Sequence, residues 1–142
     1  MKVTLLTGCN LGDKEQSMRE VLTHIEARIG KILRKSSVHS SSAWGFESDD
    51  IFLNQALVCD TQLSPYDVLM EIWAIERLFG KERGSVEEEL VKLSDRTTYQ
   101  SRLMDIDIIF YDDLVLDTPL LTIPHPLYDK RDFVLIPLKE LQ

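Results

Sequence analysis

The chain has 142 residues, 44% of them hydrophobic and 28% charged, which predicts one globular domain over residues 1–142. Its net charge of −8 argues against a nucleic-acid binder, and no apolar stretch approaches the roughly 20 residues of a membrane span. Cys9 and Cys59 lack the spacing of a metal site, so we expect reduced thiols and a cytoplasmic location. A monomer that binds neither nucleic acid nor membrane is the simplest expectation.

The first 80 residues alternate between strand and helix patterns. Strands rich in β-branched and apolar residues are predicted at residues 3–9, 32–39 and 51–61. Residues 14–29 carry apolar side chains at helical spacing, which predicts a helix. Ser64 and Pro65 predict the start of a second helix, because serine caps a helix N-terminus and proline fits its first position.

The second half of the chain begins with its least regular segment. Residues 81–101 form a connection of a length that is usually functional or disordered, so we predict a long flexible catalytic loop. A strand is predicted at residues 106–111, followed by a hairpin turn into residues 114–117. The order β-α-β-β-α-loop-β-β is that of the ferredoxin-like plan. We therefore predict an α+β fold in which helices cover one face of an antiparallel sheet and leave the other available for a ligand.

Asp105 and Asp107 are the most informative residues of the chain, because they open the apolar strand. Residues two apart on a strand point to the same face, roughly 6.6 Å from each other. Two carboxylates are costly to bury unpaired, whereas Mg²⁺ in phosphate chemistry is commonly held by one or two of them. The pattern therefore indicates a metal site that handles phosphate. The alternative is a solvent-facing strand on which Arg102 pairs with one carboxylate.

His125 stands between Pro124 and Pro126, so its backbone is stiff and lies outside a regular element. This placement suits either a structural turn or a donor to a phosphate oxygen, and Arg131 could fork onto the same phosphates. The sequence contains neither a Walker A loop nor a GxGxxG motif. A bound nucleotide would therefore be held by side chains and metal instead of a glycine-rich loop.

Aromatic side chains precede a single amide in residues 44–54: Trp44, Phe46 and Phe52 come before Asn54. Aromatic residues in a loop more often cover a core than bind a ligand, and that interpretation stays open. Stacking rings would also suit a planar heterocycle when an amide beside them offers both a donor and an acceptor. The segment is therefore a candidate for a ring-binding site.

Several short blocks are shared, in order and spacing, with one known family; they are residues 8–13, 36–37, 43–45, 52–56, 75–76, 102–109, 123–126 and 131–138. Through them the chain resembles the 6-hydroxymethyl-7,8-dihydropterin pyrophosphokinases of folate biosynthesis. The resemblance implies transfer of pyrophosphate from ATP to the hydroxymethyl group of a reduced pterin, with release of AMP. The alternative is a catalytically silent ferredoxin-like module that binds a small molecule. Such a relative would be expected to lose Asp105, Asp107 or His125, and all three are present.

The resemblance also implies roles for individual residues. Two Mg²⁺ ions would be held by Asp105 and Asp107. Catalysis would depend on these two residues together with Arg83 and Arg102, with Arg96 as an alternative to Arg83. The implied ATP contacts are Glu76, Arg83, Tyr99, Arg102, Ile108, Thr122, His125 and Arg131. The implied pterin contacts are Ser41, Ser42, Trp44, Phe52, Asn54 and Phe133, with the Phe133 ring stacked on the pterin.

Overall fold

The computed structural model describes residues 1–42, 51–80 and 103–142, so the predicted loop at residues 81–101 lies outside the described residues. The elements in chain order are β1 (Lys2–Cys9), α1 (Lys14–Arg28), β2 (Gly30–Lys35), β3 (His39–Ser42), β4 (Ile51–Thr61), α2 (Pro65–Leu78), β5 (Asp105–Tyr111), β6 (Leu116–Asp117), β7 (Thr122–Ile123), a 3₁₀ turn (Tyr128–Lys130) and α3 (Asp132–Glu140). Within the described residues, no helix has the length and apolar character needed to cross a membrane.

The main sheet is antiparallel and has the strand order β2-β4-β1-β5, with β3 also pairing with β4. The first strand therefore lies in the interior of the sheet, between strands that follow it much later in the chain. This order and the alternation of strands with helices confirm the predicted ferredoxin-like α+β class. The predicted strand at residues 32–39 is divided into β2 and β3, because the backbone leaves the strand geometry around Ser36.

Both predicted helices form and begin where their caps indicate. The Asp13 side chain accepts a hydrogen bond from the Gln16 backbone N–H at 3.2 Å, and Ser64 accepts one from the Asp67 N–H at 3.2 Å. Such caps satisfy backbone donors that the first turn of a helix leaves unpaired. The two helices pack on the same face of the sheet and bury these residues against it: Met18, Val21, Ile25, Val68, Ile72 and Ile75.

Strand β5 alternates as predicted between this core and the opposite face. Ile106 and Ile108 are both 4% exposed and lie in the core that α1 and α2 cover. Because side chains alternate along a strand, Asp105 and Asp107 point to the other face of the sheet. The predicted placement of both carboxylates on one face is therefore confirmed by the packing of their neighbours.

The third helix, α3, packs on the opposite face of the sheet, which is a departure from the prediction that helices would cover one face only. Val134, Leu138 and Leu141 follow each other at helical spacing and form a second core with Leu6 and Ala56. The pattern is easy to miss because Pro137 lies inside the helix, where proline normally discourages helix formation. The helix covers only part of this face, and the Asp105 end of β5 lies beyond this second core.

The predicted hairpin between β5 and residues 114–117 does not form. The turn itself exists, since the Leu114 N–H donates to the Tyr111 carbonyl at 3.0 Å. However, Leu116 pairs with Ile123 in a separate two-stranded sheet of β6 and β7. The reason is a tighter turn further on, in which the Thr118 hydroxyl donates to the Leu121 carbonyl at 2.9 Å. This turn brings β7 back onto β6 and leaves β5 at the edge of the main sheet.

The two thiols are buried deeply enough to be chemically inert. Both Cys9 and Cys59 are unpaired thiols with no exposed surface. Burial raises the pKa of Cys9 to about 11 and that of Cys59 to about 12, because a thiolate is poorly solvated in the core. We expect iodoacetamide at pH 8 to alkylate the native protein about 100-fold more slowly than the unfolded chain. Equal rates, measured by mass spectrometry of native and urea-unfolded samples, would contradict this burial.

Candidate active site

The centre of the site is one row of residues that crosses three strands. Gly8 of β1 lies opposite Asn54 of β4 on one side and opposite Asp105 of β5 on the other. Residues paired across antiparallel strands project to the same face. Since neighbouring strands are about 4.8 Å apart, the amide of Asn54 and the carboxylate of Asp105 start from backbone positions about 10 Å from each other.

Gly8 leaves the space in which the Asn54 side chain lies. A Cβ atom at Gly8 would come within 2.4 Å of the Asn54 Nδ2, which is too close for any real contact. Without that atom, Nδ2 donates to the Thr7 carbonyl at 3.3 Å across the strand. The chemistry of the predicted site residues indicates no role for Gly8, although a glycine inside a strand often marks a place where another group approaches the backbone closely.

The oxygen of the Asn54 amide has no protein partner among the described residues. Asn54 is only 6% exposed, and its Oδ1 atom is buried without a hydrogen bond to that part of the chain. Buried polar atoms are nearly always hydrogen-bonded in native proteins, because losing water without a replacement is costly. A buried acceptor fixed beside an open glycine is suited to a ligand that presents an N–H group.

Asp105 and Asp107 are half-buried. On its core side, the strand that carries them is hydrogen-bonded to helix α2. The backbone N–H of Ile106, the residue between them, donates to the Glu76 carboxylate at 2.9 Å. Glu76 has no exposed surface and reaches the strand from α2, on the side opposite the carboxylate pair. The implied ATP contact of Glu76 stays a prediction, and the contact seen here is one in which its side chain supports the strand from the core.

The implied ATP contact of Ile108 also stays a prediction, but it is restricted to the backbone. Its side chain is 4% exposed and lies in the core under α1 and α2. Only its backbone groups remain available to a ligand, because β5 is the edge strand of the sheet. A contact between Ile108 and a nucleotide would therefore involve main-chain atoms.

The two carboxylates on β5 are the candidate ligands for a metal ion. In residues 1–42, 51–80 and 103–142, no group of three or more His, Cys, Asp or Glu side chains gathers where it could hold an ion. An ion that binds Asp105 and Asp107 would therefore find no third ligand of these types gathered with them in those ranges, and substrate or water would complete its coordination there. That arrangement fits Mg²⁺, which keeps several waters and is usually bound through one or two carboxylates and phosphate oxygens.

His125 presents a defined ring nitrogen as a hydrogen-bond donor. Its backbone N–H donates to the Ile109 carbonyl at 3.0 Å, which fixes the loop against β5. Its Nδ1 accepts a hydrogen bond from the Leu127 backbone N–H at 3.3 Å. A neutral imidazole that accepts at Nδ1 carries its hydrogen on Nε2. The Leu127 bond therefore leaves Nε2 as the ring nitrogen that carries the hydrogen.

Arg131 and Phe133 lie at the start of α3. The Arg131 guanidinium carbon is 5.7 Å from the centre of the Phe133 ring, within the range of a cation–π contact. Both side chains are half-buried, and Phe133 packs partly against the second core. This end of the helix thus combines a flat aromatic surface with a positive charge.

The remaining predicted residues are distributed as follows. Ser41 pairs with Phe52 across β3 and β4, so both lie on the face of Asn54. Thr122 is half-exposed on β7, and its hydroxyl donates to Asp117 at 3.4 Å. The structure describes only the backbone of Ser42, at the end of β3. Outside the described residues are Trp44, Arg83, Arg96, Tyr99 and Arg102.

The fold and the site together define a ferredoxin-like α+β domain with a ligand-binding face. At one end of a row, that face carries an amide whose oxygen has no partner among the described residues, and at the other end it carries a carboxylate pair. A histidine donor lies on a loop bonded to the same strand as the carboxylates. Such a combination is typical of a domain that binds a ring-shaped small molecule together with a phosphorylated one.

Comparison with known proteins identifies the family. Residues 4–142 match the family model described as 7,8-dihydro-6-hydroxymethylpterin-pyrophosphokinase (HPPK). A relative named 2-amino-4-hydroxy-6-hydroxymethyldihydropteridine pyrophosphokinase, from Aquifex aeolicus, is 35% identical over 140 residues, which are 99% of this chain and 79% of the relative. A relative of the same name from Porphyromonas gingivalis is 34% identical over 98% of this chain and 89% of its own length. The chain belongs to the HPPK family.

Solved structures agree on the fold. A Plasmodium falciparum HPPK-DHPS triple mutant with pteroate matches 98% of this chain with a TM-score of 0.67 and 15% sequence identity. A second HPPK-DHPS structure, solved in complex with substrates, matches 95% of the chain with a TM-score of 0.62 and 14% identity. The chain spans 39% of the length of each of these solved chains. At such identities the likeness supports the fold alone.

Proposed function

We propose that the protein transfers the pyrophosphoryl group of ATP to the hydroxymethyl group of 6-hydroxymethyl-7,8-dihydropterin, which yields the pterin pyrophosphate and AMP. The observation that carries this proposal is the row of Asn54, Gly8 and Asp105 across three strands. It sets an amide that can read a ring edge about 10 Å from a carboxylate that can serve phosphate chemistry. The names of the relatives in the same family support the same reaction.

In this proposal the pterin lies over Gly8 with its ring edge toward Asn54. A pterin edge carries neighbouring donors and acceptors, and an amide offers one of each. The Asn54 Oδ1, which has no partner in residues 1–42, 51–80 and 103–142, would accept an N–H of the ring. Phe133 would stack on one ring face, with Phe52 and the backbone of Ser41 at the border. Trp44 and Ser42 are proposed as further contacts by the family resemblance.

Asp105 and Asp107 are proposed to hold two Mg²⁺ ions. When bound, such ions would neutralise charge on the ATP phosphates and keep the reacting groups in line. His125 would donate its Nε2–H to a phosphate oxygen, and Arg131 would add a positive charge. The net charge of −8 makes such local cations necessary, because the surface as a whole repels an anionic substrate. Arg83 and Arg102 are proposed as further cations of the reaction.

The proposed reaction is a single displacement at the β-phosphorus. The hydroxyl oxygen of the pterin forms a bond to the β-phosphorus, and the bond from that phosphorus to the oxygen bridging the α-phosphorus breaks. AMP leaves with the electron pair of the broken bond, and the hydroxyl proton is released to solvent. The protein contributes position and charge, because phosphoryl transfer requires little covalent chemistry from side chains.

Two finer properties complete the proposal. We propose that the enzyme works as a monomer, because the row of site residues lies within one chain. We also propose a cytoplasmic location, which agrees with two buried cysteines that form no disulfide.

The identity of the nucleotide product tests the proposed function. The protein should be incubated with ATP, Mg²⁺ and 6-hydroxymethyl-7,8-dihydropterin, with a matched sample that lacks the pterin. We expect AMP to form in step with pterin consumption and only when the pterin is present. ADP as the product would instead indicate an ordinary kinase. No pterin-dependent nucleotide product would favour the silent binding module.

A further inference from the structure

A cluster of polar contacts joins the end of α3 to the segment between β2 and β3. One Glu140 carboxylate oxygen accepts hydrogen bonds from the Ser37 backbone N–H at 2.8 Å and from the Ser37 hydroxyl at 2.5 Å. The other oxygen lies 2.6 Å from the Nε2 of His39. Close by, the Arg34 guanidinium donates to the Leu141 carbonyl at 2.6 Å. We name the contacts of Glu140 with Ser37 and His39 the helix clasp.

The helix clasp connects the two sides of the proposed pterin site. His39 lies directly opposite Asn54 across β3 and β4, and Ser41 of the same strand lies opposite Phe52. Phe133 is the second residue of α3, and Glu140 is its last. The clasp therefore ties the strand beside the Asn54 amide to the helix that carries the stacking ring.

We propose that Glu140 is a positioning residue that sets the pterin site by holding α3, and with it Phe133, at a fixed place beside β3. The ligand in this proposal rests on the proposed function above. The clasp itself rests on the contacts of Glu140 alone, none of which involves a residue of the proposed catalytic machinery.

The apolar contacts of α3 leave such a role open. Val134 and Leu138 pack on the sheet, but apolar packing has little directional preference. The helix has nine residues and contains Pro137, which removes one backbone donor. A helix of this length is marginal by itself, so its position depends on tertiary contacts. The three charge-assisted hydrogen bonds of Glu140 have a defined geometry, so they fix the position of α3 in a way that its apolar contacts do not.

At neutral pH Glu140 is ionised, and its carboxylate makes the hydrogen bonds of the helix clasp. The hydrogen bonds from Ser37, followed by the bond with His39, lower the pKa of Glu140 from 4.5 to about 2. A lowered pKa means that the stabilisation is complete above the ordinary value and is lost as the pH falls toward about 2. The charged groups beside the cluster are His39 from β3 and Arg34 from β2, and the Arg34 guanidinium is bonded to the Leu141 carbonyl.

The test compares the wild type with the Glu140→Ala variant. We expect the KM for the pterin to rise about fivefold, while kcat and the KM for ATP change less than about twofold. The His39→Gln variant keeps a side-chain N–H donor and should stay close to the wild type. Glu20→Gln is the control, because it removes an exposed carboxylate from α1 on the other face of the sheet. Circular dichroism checks that each variant is folded.

Two further measurements keep this test separate from that of the proposed function. Calorimetry with 6-hydroxymethylpterin, which lacks the reduced ring of the substrate, should show the same loss of affinity in Glu140→Ala without turnover. Carbon-13 NMR of the Glu140 carboxyl group should show it still ionised at a pH between 2 and 4.5.

An unchanged pterin affinity, or an equal loss of ATP affinity, would overturn the positioning role. Titration of Glu140 near its ordinary value would overturn the clasp. Absence of AMP in the wild type would count against the proposed function only.

Discussion

Replacing Asp107 by alanine is expected to abolish pyrophosphoryl transfer while the fold remains intact. Asp107 projects from β5 toward the open face, and its neighbours Ile106 and Ile108 hold the strand in the core independently. Removing one of two metal-holding carboxylates leaves charge on the phosphates uncompensated as the bond breaks. We expect kcat to fall by about 10³-fold or more, which is about 4 kcal/mol in the barrier. Initial rates of AMP formation measure the effect.

The control for this experiment is Asp113→Ala, which removes an exposed carboxylate just after the same strand. It should keep nearly the wild-type rate and the wild-type thermal unfolding midpoint. Binding of Mn²⁺ in the presence of a non-hydrolysable ATP analogue, followed by electron paramagnetic resonance, should weaken in Asp107→Ala but not in the control. A variant at position 107 that retains near-normal turnover would rule out the two-ion arrangement on β5.

Replacing Asn54 by alanine is expected to remove pterin recognition and leave ATP binding unchanged. Asn54 is the buried amide whose Oδ1 has no partner in the described part of the chain, and its Nδ2 is bonded to Thr7. Losing both an acceptor and a donor for the ring should lower kcat/KM for the pterin by about 10²-fold or more. Calorimetric titration with the ATP analogue should give an unchanged Kd.

Gln55 provides a matched control beside Asn54. It is also a buried amide, its Nε2 donates to the Ser36 carbonyl at 2.6 Å, and its Oε1 likewise has no partner among the described residues, but its side chain lies on the other face of β4. Gln55→Ala should therefore lower the thermal unfolding midpoint and leave the KM for the pterin within about twofold of the wild type, because it removes a structural hydrogen bond only. If both variants impaired pterin binding equally, the assignment of Asn54 as the reading amide would be wrong.

The sequence predicts the elements whose signals are local. Strand β4 was expected at residues 51–61 and spans Ile51–Thr61. Helix α2 begins at Pro65 after the Ser64 cap, as expected, because both residues act on their own first turn. The direction of the Asp105 and Asp107 side chains also follows from local alternation. These features depend on neighbouring residues, so a single sequence contains enough information.

The missed elements depend on contacts between distant segments. Helix α3 contains Pro137, and it forms because Val134 and Leu138 find an apolar surface on the sheet. The pairing of β6 with β7 depends on a turn at Thr118 that competes with the expected hairpin. A local sequence pattern does not show whether α3 forms or which strand β6 pairs with, because both depend on tertiary packing.

The same distinction applies to the site. Asn54 and the carboxylate pair were predicted from their chemistry, and the sheet places them in one connected region. The role of Gly8 became visible only with the register, since Asn54 lies 46 positions further along the chain. Glu76 and Ile108 were assigned by position in a resemblance, which does not tell on which face of an element a side chain lies. Both side chains are buried on the core side of the sheet, and their proposed ATP contacts remain predictions.

The most direct test of the central claim is to follow which phosphorus atoms reach the pterin. ATP that carries radioactive phosphorus at the β position is incubated with the protein, Mg²⁺ and 6-hydroxymethyl-7,8-dihydropterin, in parallel with ATP labelled at the γ position. Transfer of an intact pyrophosphoryl group predicts that both labels appear in the pterin product in equal molar yield. Recovery of the γ label alone would mean that a single phosphoryl group moves, and it would contradict attack at the β-phosphorus.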